Sequence, residues 1–200
     1  MKRSVAAVAC AVTVVAGSSS AAYAAIKGNN KANDLTGGAG ANVIYGYGGS
    51  DKIRGLGGDD RLYPGTGKYD RVYGGAGGDQ ISAPPDAYYA AQLYGQAGWD
   101  VIHAGDYDIA YGGNGGDLMT GGYISFLHGG SGPDHLTARG SGSVEGGGGR
   151  DIVVAKRGVV AVYLKDGRRD EVQCSGEYTK IDVRSRDAGD KIARDCVRWP

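Results

Sequence analysis

Four consecutive glycine-rich segments decide the fold of this chain: GQAGWDVIH (95–103), GGNGGDLMT (112–120), GGSGPDHLT (129–137) and GGGGRDIVV (146–154). They begin at Gly95, Gly112, Gly129 and Gly146, a constant step of 17 residues. Two earlier segments, GLGGDDRLY (55–63) and GGAGGDQIS (74–82), follow the same pattern. All six fit G-G-x-G-x-D-x-U-x, in which U is apolar, and a fixed period of this kind predicts a solenoid.

The last four residues of each repeat, D-x-U-x, have the pattern of a short strand. Side chains alternate along a strand, so U points inward while its two neighbours point outward. Stacked strands would join the U residues into one narrow apolar core. That core is predicted to contain Ile44, Ile53, Leu62, Val72, Ile81, Leu93, Ile102, Ala110, Met119, Leu127, Leu136, Val144 and Val153.

The residues before U form the turn, and their composition predicts a metal site. Glycine suits a tight turn because it adopts φ > 0 and lets the backbone approach a ligand closely. Exposed carbonyl oxygens, with one carboxylate per turn, make a set of hard oxygen ligands that suits Ca²⁺ better than a transition metal. The simpler alternative is that Gly-Asp pairs are only favourable turn chemistry. Collagen is excluded because glycine does not recur at every third residue, and a flexible linker would not need regularly spaced apolar residues.

The nonapeptide resembles the calcium-binding repeat of the haemolysin-type (RTX) family. The resemblance covers residues 37–154 and implies an all-β parallel β-roll, or β-solenoid, with several Ca²⁺ ions in its turns. The carboxylate and amide ligands that it implies are Asp60, Asp79, Asp100, Asp117, Asp134, Asp151, Asn42, Asp51 and Asp70. The glycines that it implies for these turns are Gly57, Gly75, Gly77, Gly113, Gly115, Gly130, Gly132, Gly147 and Gly149.

The two sides of such a roll differ in this chain, because successive repeats alternate between sides. One side carries Asn42 and the aspartates from Asp60 to Asp151; the other carries Asp51 and Asp70 and then degenerates. Its later loops are residues 83–94, 104–111, 121–128 and 138–145. The last three are only eight residues long and place Asp108, Ser125 and Gly142 at the carboxylate position. We therefore expect a calcium ladder on one side, with a short second row near Asp51 and Asp70 and a weaker first site at the neutral Asn42.

Two proline residues interrupt the second side. Pro84 and Pro85 lack the N–H donor that a central ladder needs, so residues 83–92 are predicted to form a bulged-out loop.

The two ends of the chain predict secretion and a C-terminal cap. Residues 1–24 have a Lys2-Arg3 start, an apolar stretch and an Ala22-Tyr23-Ala24 end, the pattern of a signal peptide cleaved after Ala24. A membrane anchor and a lipoprotein at Cys10 are the weaker alternatives. Residues 25–36 are predicted to be a lead-in, 37–154 the repeats, and 155–200 irregular coils with a cap.

The remaining cysteines, Cys174 and Cys196, are an even pair that predicts a disulfide in a secreted protein, with two free thiols as the alternative. DGRRDEVQC (166–174) and RDAGDKIARDC (186–196) resemble the C-terminal segment of small secreted bacterial calcium-binding repeat proteins. The D-x-U signature persists there at Asp170 and Asp190, but GEYTKIDV (176–183) departs from the pattern and leaves calcium binding open.

Neither charge nor motifs indicate catalysis or a nucleic-acid partner. Without residues 1–24 the chain has 20 basic and 22 acidic residues, and this balance does not favour nucleic acid. His103, His128 and His135 lie at outward positions without a metalloprotease spacing, and the aspartates are committed to the loops. We therefore predict no enzyme activity and no membrane span.

A second function class comes from aromatic residues on the degenerate side. Tyr73, Tyr94 and Tyr111 should stack as an outward column, with Phe126 beside it. Such a surface can bind a glycan or a protein, although tyrosine also simply suits a pleated surface. The sequence thus predicts a secreted or extracellular calcium-binding module, with cell-wall association as an option. The alternative is a glycan- or surface-binding adhesin.

Overall fold

The computed structural model describes residues 25–85, 90–175 and 179–198, and the predicted signal peptide lies outside them. These residues form a β-solenoid of parallel strands without a helix. The chain alternates between two ten-stranded sheets, so that strands two apart in sequence are hydrogen-bonded neighbours. This all-β parallel roll confirms the predicted fold class.

The odd-numbered strands form the first sheet in sequence order. They are β1 (Ile26–Asn29), β3 (Val43–Tyr47), β5 (Arg61–Tyr63), β7 (Gln80–Ser82), β9 (Val101–His103), β11 (Leu118–Gly121), β13 (His135–Ala138), β15 (Ile152–Ala155), β17 (Glu171–Cys174) and β19 (Lys191–Ile192).

The even-numbered strands form the second sheet, also in sequence order. They are β2 (Asp34–Thr36), β4 (Lys52–Gly57), β6 (Arg71–Ala76), β8 (Gln92–Ala97), β10 (Ile109–Asn114), β12 (Ser125–Ser131), β14 (Gly142–Gly148), β16 (Val159–Tyr163), β18 (Lys180–Ser185) and β20 (Val197–Arg198).

The thirteen predicted U residues form the core between the two sheets. All of them are at most 1% exposed. Their registers are those expected from the repeat, because Ile102 lies opposite Met119 and Ala110 lies opposite Leu127. One inward apolar residue per strand therefore forms most of the narrow interior, and small buried residues such as Ala138 and Ala155 add to it.

The roll is longer than the predicted range of residues 37–154. The predicted lead-in, residues 25–36, contributes β1 and β2, because Ile26 and Leu35 lie opposite Ile44 and Ile53 and extend the core. At the other end, the predicted coils continue as β16 to β20. Val172 and Ile181 are fully buried there. The irregular spacing of this segment changes its turns but still directs apolar side chains inward, and β16 buries both Val160 and Val162.

The predicted disulfide is present, whereas residues 86–89 of the predicted proline loop lie outside the described part of the chain. The chain leaves the first sheet after Ser82 in β7 and enters the second sheet at Gln92 in β8, the last residue of the predicted loop. On either side of the undescribed residues, Pro85 and Ala91 still accept backbone hydrogen bonds from the next coil. Cys174 and Cys196 form a disulfide with a Cα–Cα distance of 5.1 Å. Cys174 ends β17 and Cys196 lies between β19 and β20, so the bond joins the last coils. In the described residues, no helix has the length and apolar character to cross a membrane.

Candidate metal centre

One continuous column of side chains lies inside the turns that precede the odd-numbered strands. It occupies position six of the repeat and is called here the aspartate column. The backbone N–H of every member except the last, Asp190, donates a hydrogen bond of 2.6–3.0 Å to the side-chain Oδ1 of the next member of the column. Its members are Asn42, Asp60, Asp79, Asp100, Asp117, Asp134, Asp151, Asp170 and Asp190.

The second carboxylate oxygen of these aspartates is buried without a hydrogen-bond partner. This holds for Oδ2 of Asp60, Asp79, Asp100, Asp117, Asp134, Asp151 and Asp170. Such atoms are rare in native proteins, because a buried acceptor without a partner costs about 1–3 kcal/mol, and more when it is charged. A regular row of them indicates sites that suit a cation or a bound proton.

Burial also raises the pKa values along the column. Loss of solvent raises the pKa of Asp60, Asp100 and Asp134 from 3.8 to about 7. The backbone N–H bonds oppose this shift, and repulsion between stacked carboxylates adds to it. The pKa of Asp170 rises to about 6 for the same reasons. A charged column therefore needs positive charge beside it to be stable at neutral pH.

Glycine at position one makes room for each carboxylate. A Cβ atom at Gly112 would collide with Asp117 Oδ2 and with the carbonyl oxygen of Gly129 in the next coil. The same pair of oxygens, one carboxylate and one carbonyl, meets at Gly55, Gly74, Gly95 and Gly129. Each position-one glycine thus lets a carboxylate oxygen and a carbonyl oxygen of the next coil approach the backbone closely. Closely spaced oxygen atoms of these two kinds are ligands that a hard cation such as Ca²⁺ accepts.

The glycines predicted at positions two and four keep the loops stacked closely. At position two, the φ angles are +125° at Gly75 and +119° at Gly113. A side chain at either residue would also strike the carbonyl oxygen of the preceding coil. Glycines at position four also have positive φ and lie against the backbone of the preceding coil. In the loop of residues 55–63, position four is Gly58, with φ +89°, and not the predicted Gly57. Gly57 occupies position three, where the backbone does not require glycine. The other predicted residues that share these two roles are Gly77, Gly115, Gly130, Gly132, Gly147 and Gly149.

The second row, on the even-numbered side, is short and mixed. Asn33 and Asp51 donate backbone N–H bonds to Asp51 Oδ1 and Asp70 Oδ1, as they would in a column. Asp51 Oδ2 is buried without a partner, whereas both oxygens of Asp108 accept backbone N–H bonds from Ala91 and Gly105. Asp108 is therefore a structural residue of its turn.

The aspartate column continues past the predicted repeats. Asp170 and Asp190 follow Asp151 in it, although the spacing of 19 and then 20 residues breaks the period. The D-x-U signature of these two residues was the sequence signal for this continuation. Because the loops between them have irregular lengths, the sequence did not show that both residues stack in register with the column. Asp190 closes the column, because its Oδ2 accepts the N–H of Asp187. At the other end, Asn42 Oδ1 accepts the N–H of Gly38, so this neutral end is already satisfied.

Carboxylates alone do not complete a metal site. In the described ranges, no group of three or more His, Cys, Asp or Glu side chains converges on one point. Any ion must therefore take most of its ligands from backbone carbonyl oxygens, which is the oxygen-rich set that Ca²⁺ accepts. The residues fit a calcium site of this kind.

The predicted tyrosine column also forms. Tyr94 lies between Tyr73 and Tyr111 with ring centroids 5.0 Å from each, and His128 extends the stack at 4.8 Å from Tyr111. Tyr111 and Phe126 are 36% and 39% exposed. The stacking covers both faces of the Tyr94 ring, so this residue presents only its edge and its hydroxyl group.

The family comparison agrees with this geometry. The model of the RTX calcium-binding nonapeptide repeat matches the chain in four copies, at residues 27–62, 65–83 and 92–106. The chain carries haemolysin-type RTX repeats. The match includes the first coil, whereas the loops from Gly112 to Val154 lie outside it. The searches of curated proteins and of solved structures each found no match.

RTX repeats bind Ca²⁺, and the buried aspartates of this RTX protein fit calcium sites. The β-roll of RTX proteins is a structural calcium-binding fold.

Proposed function

We propose that this RTX protein is a secreted module whose roll folds when its loops bind Ca²⁺, and that it acts outside the cell or at the cell wall as a structural or interaction module. The observation that carries the proposal is the row of buried Oδ2 atoms without partners. The disulfide supports secretion, because such bonds persist in oxidising compartments.

The proposed ligands are the aspartates of the column from Asp60 to Asp170, with Asp51 on the second row. Carbonyl oxygens of the glycine loops complete each set, and Asn42 contributes a weaker end site. The glycines at positions two and four hold neighbouring loops close enough to share an ion. When bound, Ca²⁺ supplies the positive charge that lets stacked carboxylates stay ionised in the interior.

The energetic argument concerns the metal-free roll. Parallel strands lie ~4.8 Å apart, so an ionised column places like charges in close succession in a poorly solvated row. The chain also contains 39 glycines, each of which loses more backbone freedom on folding than any other residue. The thin core offsets little of this cost. Calcium binding then contributes directly to the free energy of folding.

A calcium titration of the mature chain, followed by circular dichroism, tests the proposal. We expect a largely disordered chain in chelator and a cooperative gain of β signal as calcium rises. Extracellular modules bind at about 10⁻⁴–10⁻³ M, and the midpoint should lie near this range. Mass spectrometry of the folded chain should find several ions. A chelated sample at neutral pH that keeps its full β signal would contradict calcium-dependent folding.

A second candidate function is that of an adhesin, favoured by the exposure of Tyr111 and Phe126 beside the stacked column. Because both faces of Tyr94 are covered, a sugar ring could not stack on it. A ligand would have to contact the ring edges, the hydroxyl groups or an end of the stack.

A further inference from the structure

The surface of the roll is basic although the whole chain is not. Ten of the described aspartates are buried, and they lie in the column, in the second row and at Asp108. The remaining described side chains include 19 lysines and arginines but only 10 acids. Once the interior carboxylates are neutralised by cations or protons, the outside of the molecule has a clear positive excess. The net charge of the whole chain does not reveal this excess, because it counts buried and exposed acids together.

Part of this positive charge borders a groove on the outer face of the even-numbered sheet. The groove has a volume of about 470 Å³, within the roughly 300–1,000 Å³ typical of ligand sites. Its lining includes Lys52, Arg54, Leu56, Tyr73 and Gln96. It therefore combines two cations, an apolar side chain, an aromatic ring and an amide.

Lys52, which lines the groove, lies directly opposite Arg71 across β4 and β6. Like charges in opposite positions of a sheet destabilise it. Neither residue has an ion-pair partner among the described acids, whereas Arg54 is paired with Asp34. Their positions give a bound anion two cations to contact.

Two groove residues occupy strained backbone positions. Leu56 and Gln96 stand at position two of their loops, where φ is +84° and +83°. Gly75 and Gly113 fill that position in neighbouring loops without strain. Leu56 is 51% exposed, so it gains little from burial in the fold. Strain that the fold does not need is a feature of functional sites.

Tyr73 ends the aromatic stack at the groove. One face of its ring stacks on Tyr94, and its register partner on the other side is Arg54. Unlike Tyr94, Tyr73 therefore keeps one face without an aromatic partner among the described residues, at the wall of the groove. An aromatic face can pack against the apolar side of a sugar ring.

We infer that this groove binds a sugar unit of an anionic polysaccharide. Lys52 and Arg71 would contact its carboxylate or sulfate group, Tyr73 and Leu56 would contact the ring, and Gln96 would hydrogen-bond a hydroxyl group. This role goes beyond calcium binding and requires only that the even-numbered sheet be folded.

The test measures binding of the calcium-loaded mature chain to four polymers by calorimetry at constant ionic strength. Hyaluronate carries carboxylates and dextran sulfate carries sulfates, so these two distinguish the anionic groups. Dextran is the neutral control, and single-stranded DNA is the polyanion without a comparable sugar surface. We expect binding to at least one anionic polysaccharide, none to dextran and weaker binding to DNA.

Variants then locate the site. Lys52→Glu and Arg71→Glu should each weaken binding roughly tenfold or more, the effect of losing a charged contact. Arg168→Glu makes the same charge change in a separate basic patch beside Asp166 and should have a much smaller effect. Leu56→Gly should weaken binding without lowering the thermal midpoint, because glycine relieves the strain at φ +84°.

Four results would overturn the inference: no polysaccharide binding, equal binding of DNA, equal losses in Arg168→Glu, or full affinity in Leu56→Gly. The circular dichroism spectrum of each variant in calcium separates loss of the groove from loss of the fold. A chain that keeps its calcium response but binds no polymer contradicts only the groove.

Discussion

At the scale of single residues, the glycines of the loops have different structural roles, although the repeat motif shows the same residue at each of these positions. Position-one glycines face the buried carboxylate of their own coil, and position-two and position-four glycines adopt φ > 0. Position three has neither constraint and accepts Ala76, Ala97, Asn114 and Ser131 in different loops.

Gly112→Ala should therefore destabilise the roll strongly. Its Cβ would collide with Asp117 Oδ2 and the Gly129 carbonyl, and overpacking of this kind costs about 1–3 kcal/mol. The position-three variant Gly148→Ala is the matched control, because the nearest atom to its Cβ is the Gly130 carbonyl oxygen at 3.9 Å. Urea unfolding in saturating calcium measures the loss of unfolding free energy in both variants. Similar losses in the two variants would show that the position-one space is not occupied by the carboxylate.

Asp117→Asn should weaken calcium binding at two neighbouring sites. The variant keeps an Oδ1 acceptor for the Asp100 N–H but removes the negative charge. Calorimetry should show fewer ions bound and a higher calcium midpoint. Ser125→Ala, at the same repeat position on the other side, should leave the ion count unchanged. Matching losses in the two variants would disprove the one-sided ladder.

At the scale of elements, the two last strands are the least supported part of the roll. β19 and β20 contain two residues each and lie at the open end of their sheets. The disulfide from Cys174 to Cys196 spans a sequence separation of 22 residues and joins this end to β17.

Reduction of the disulfide should loosen β19 and β20 before any other strand. A bond that closes a loop of this length commonly contributes about 2–4 kcal/mol. Hydrogen exchange in calcium, with and without reductant, should show faster exchange at Lys191 and Ile192. The amides of β9 and β11 serve as the internal control and should stay protected. Uniform acceleration along the chain would mean that the bond stabilises the whole roll.

At the scale of the whole molecule, the aspartate column makes stability depend on pH in an unusual direction. The folded-state pKa values of Asp60, Asp100 and Asp134 lie at about 7, above the ordinary value of 3.8. The folded metal-free chain therefore binds protons more tightly than the unfolded chain does. The stabilisation of the folded metal-free chain by these bound protons is fully present below pH 3.8 and is lost as the pH rises to about 7.

In chelator, the chain should consequently show more β structure at pH 4 than at pH 7.5. At neutral pH, calcium should restore the β structure by replacing the protons. The calcium concentration at the folding midpoint should rise as the pH falls from 8 to 6, because protons then compete for the same carboxylates. Circular dichroism across this range measures both effects. The Asp117→Asn variant should lose part of the pH dependence, since Asn does not titrate. Greater order at pH 7.5 than at pH 4 without calcium would contradict the buried column.

Much of this molecule was predictable because a solenoid is nearly one-dimensional. Each coil contacts its neighbours, so the period of residues such as Ile102 and Met119 translates directly into register, sheet order and core. The same logic placed Asp60 to Asp151 on one side and stacked Tyr73 on Tyr94. Where the period became irregular, prediction was incomplete: the first coil at Ile26 and the continuation of the column through Asp170 were not assigned.

The sequence by itself determined the repeat, the inward apolar residues, the two sides and the cysteine pair, because these follow from local spacing. Only the tertiary structure decided which carboxylate oxygens lack partners, that both faces of Tyr94 are covered, and that ten acids lie inside a basic surface. Those properties depend on how loops of unequal length align across coils. Burial and stacking arise between residues 17 to 21 positions apart, and the composition of a single repeat does not contain them.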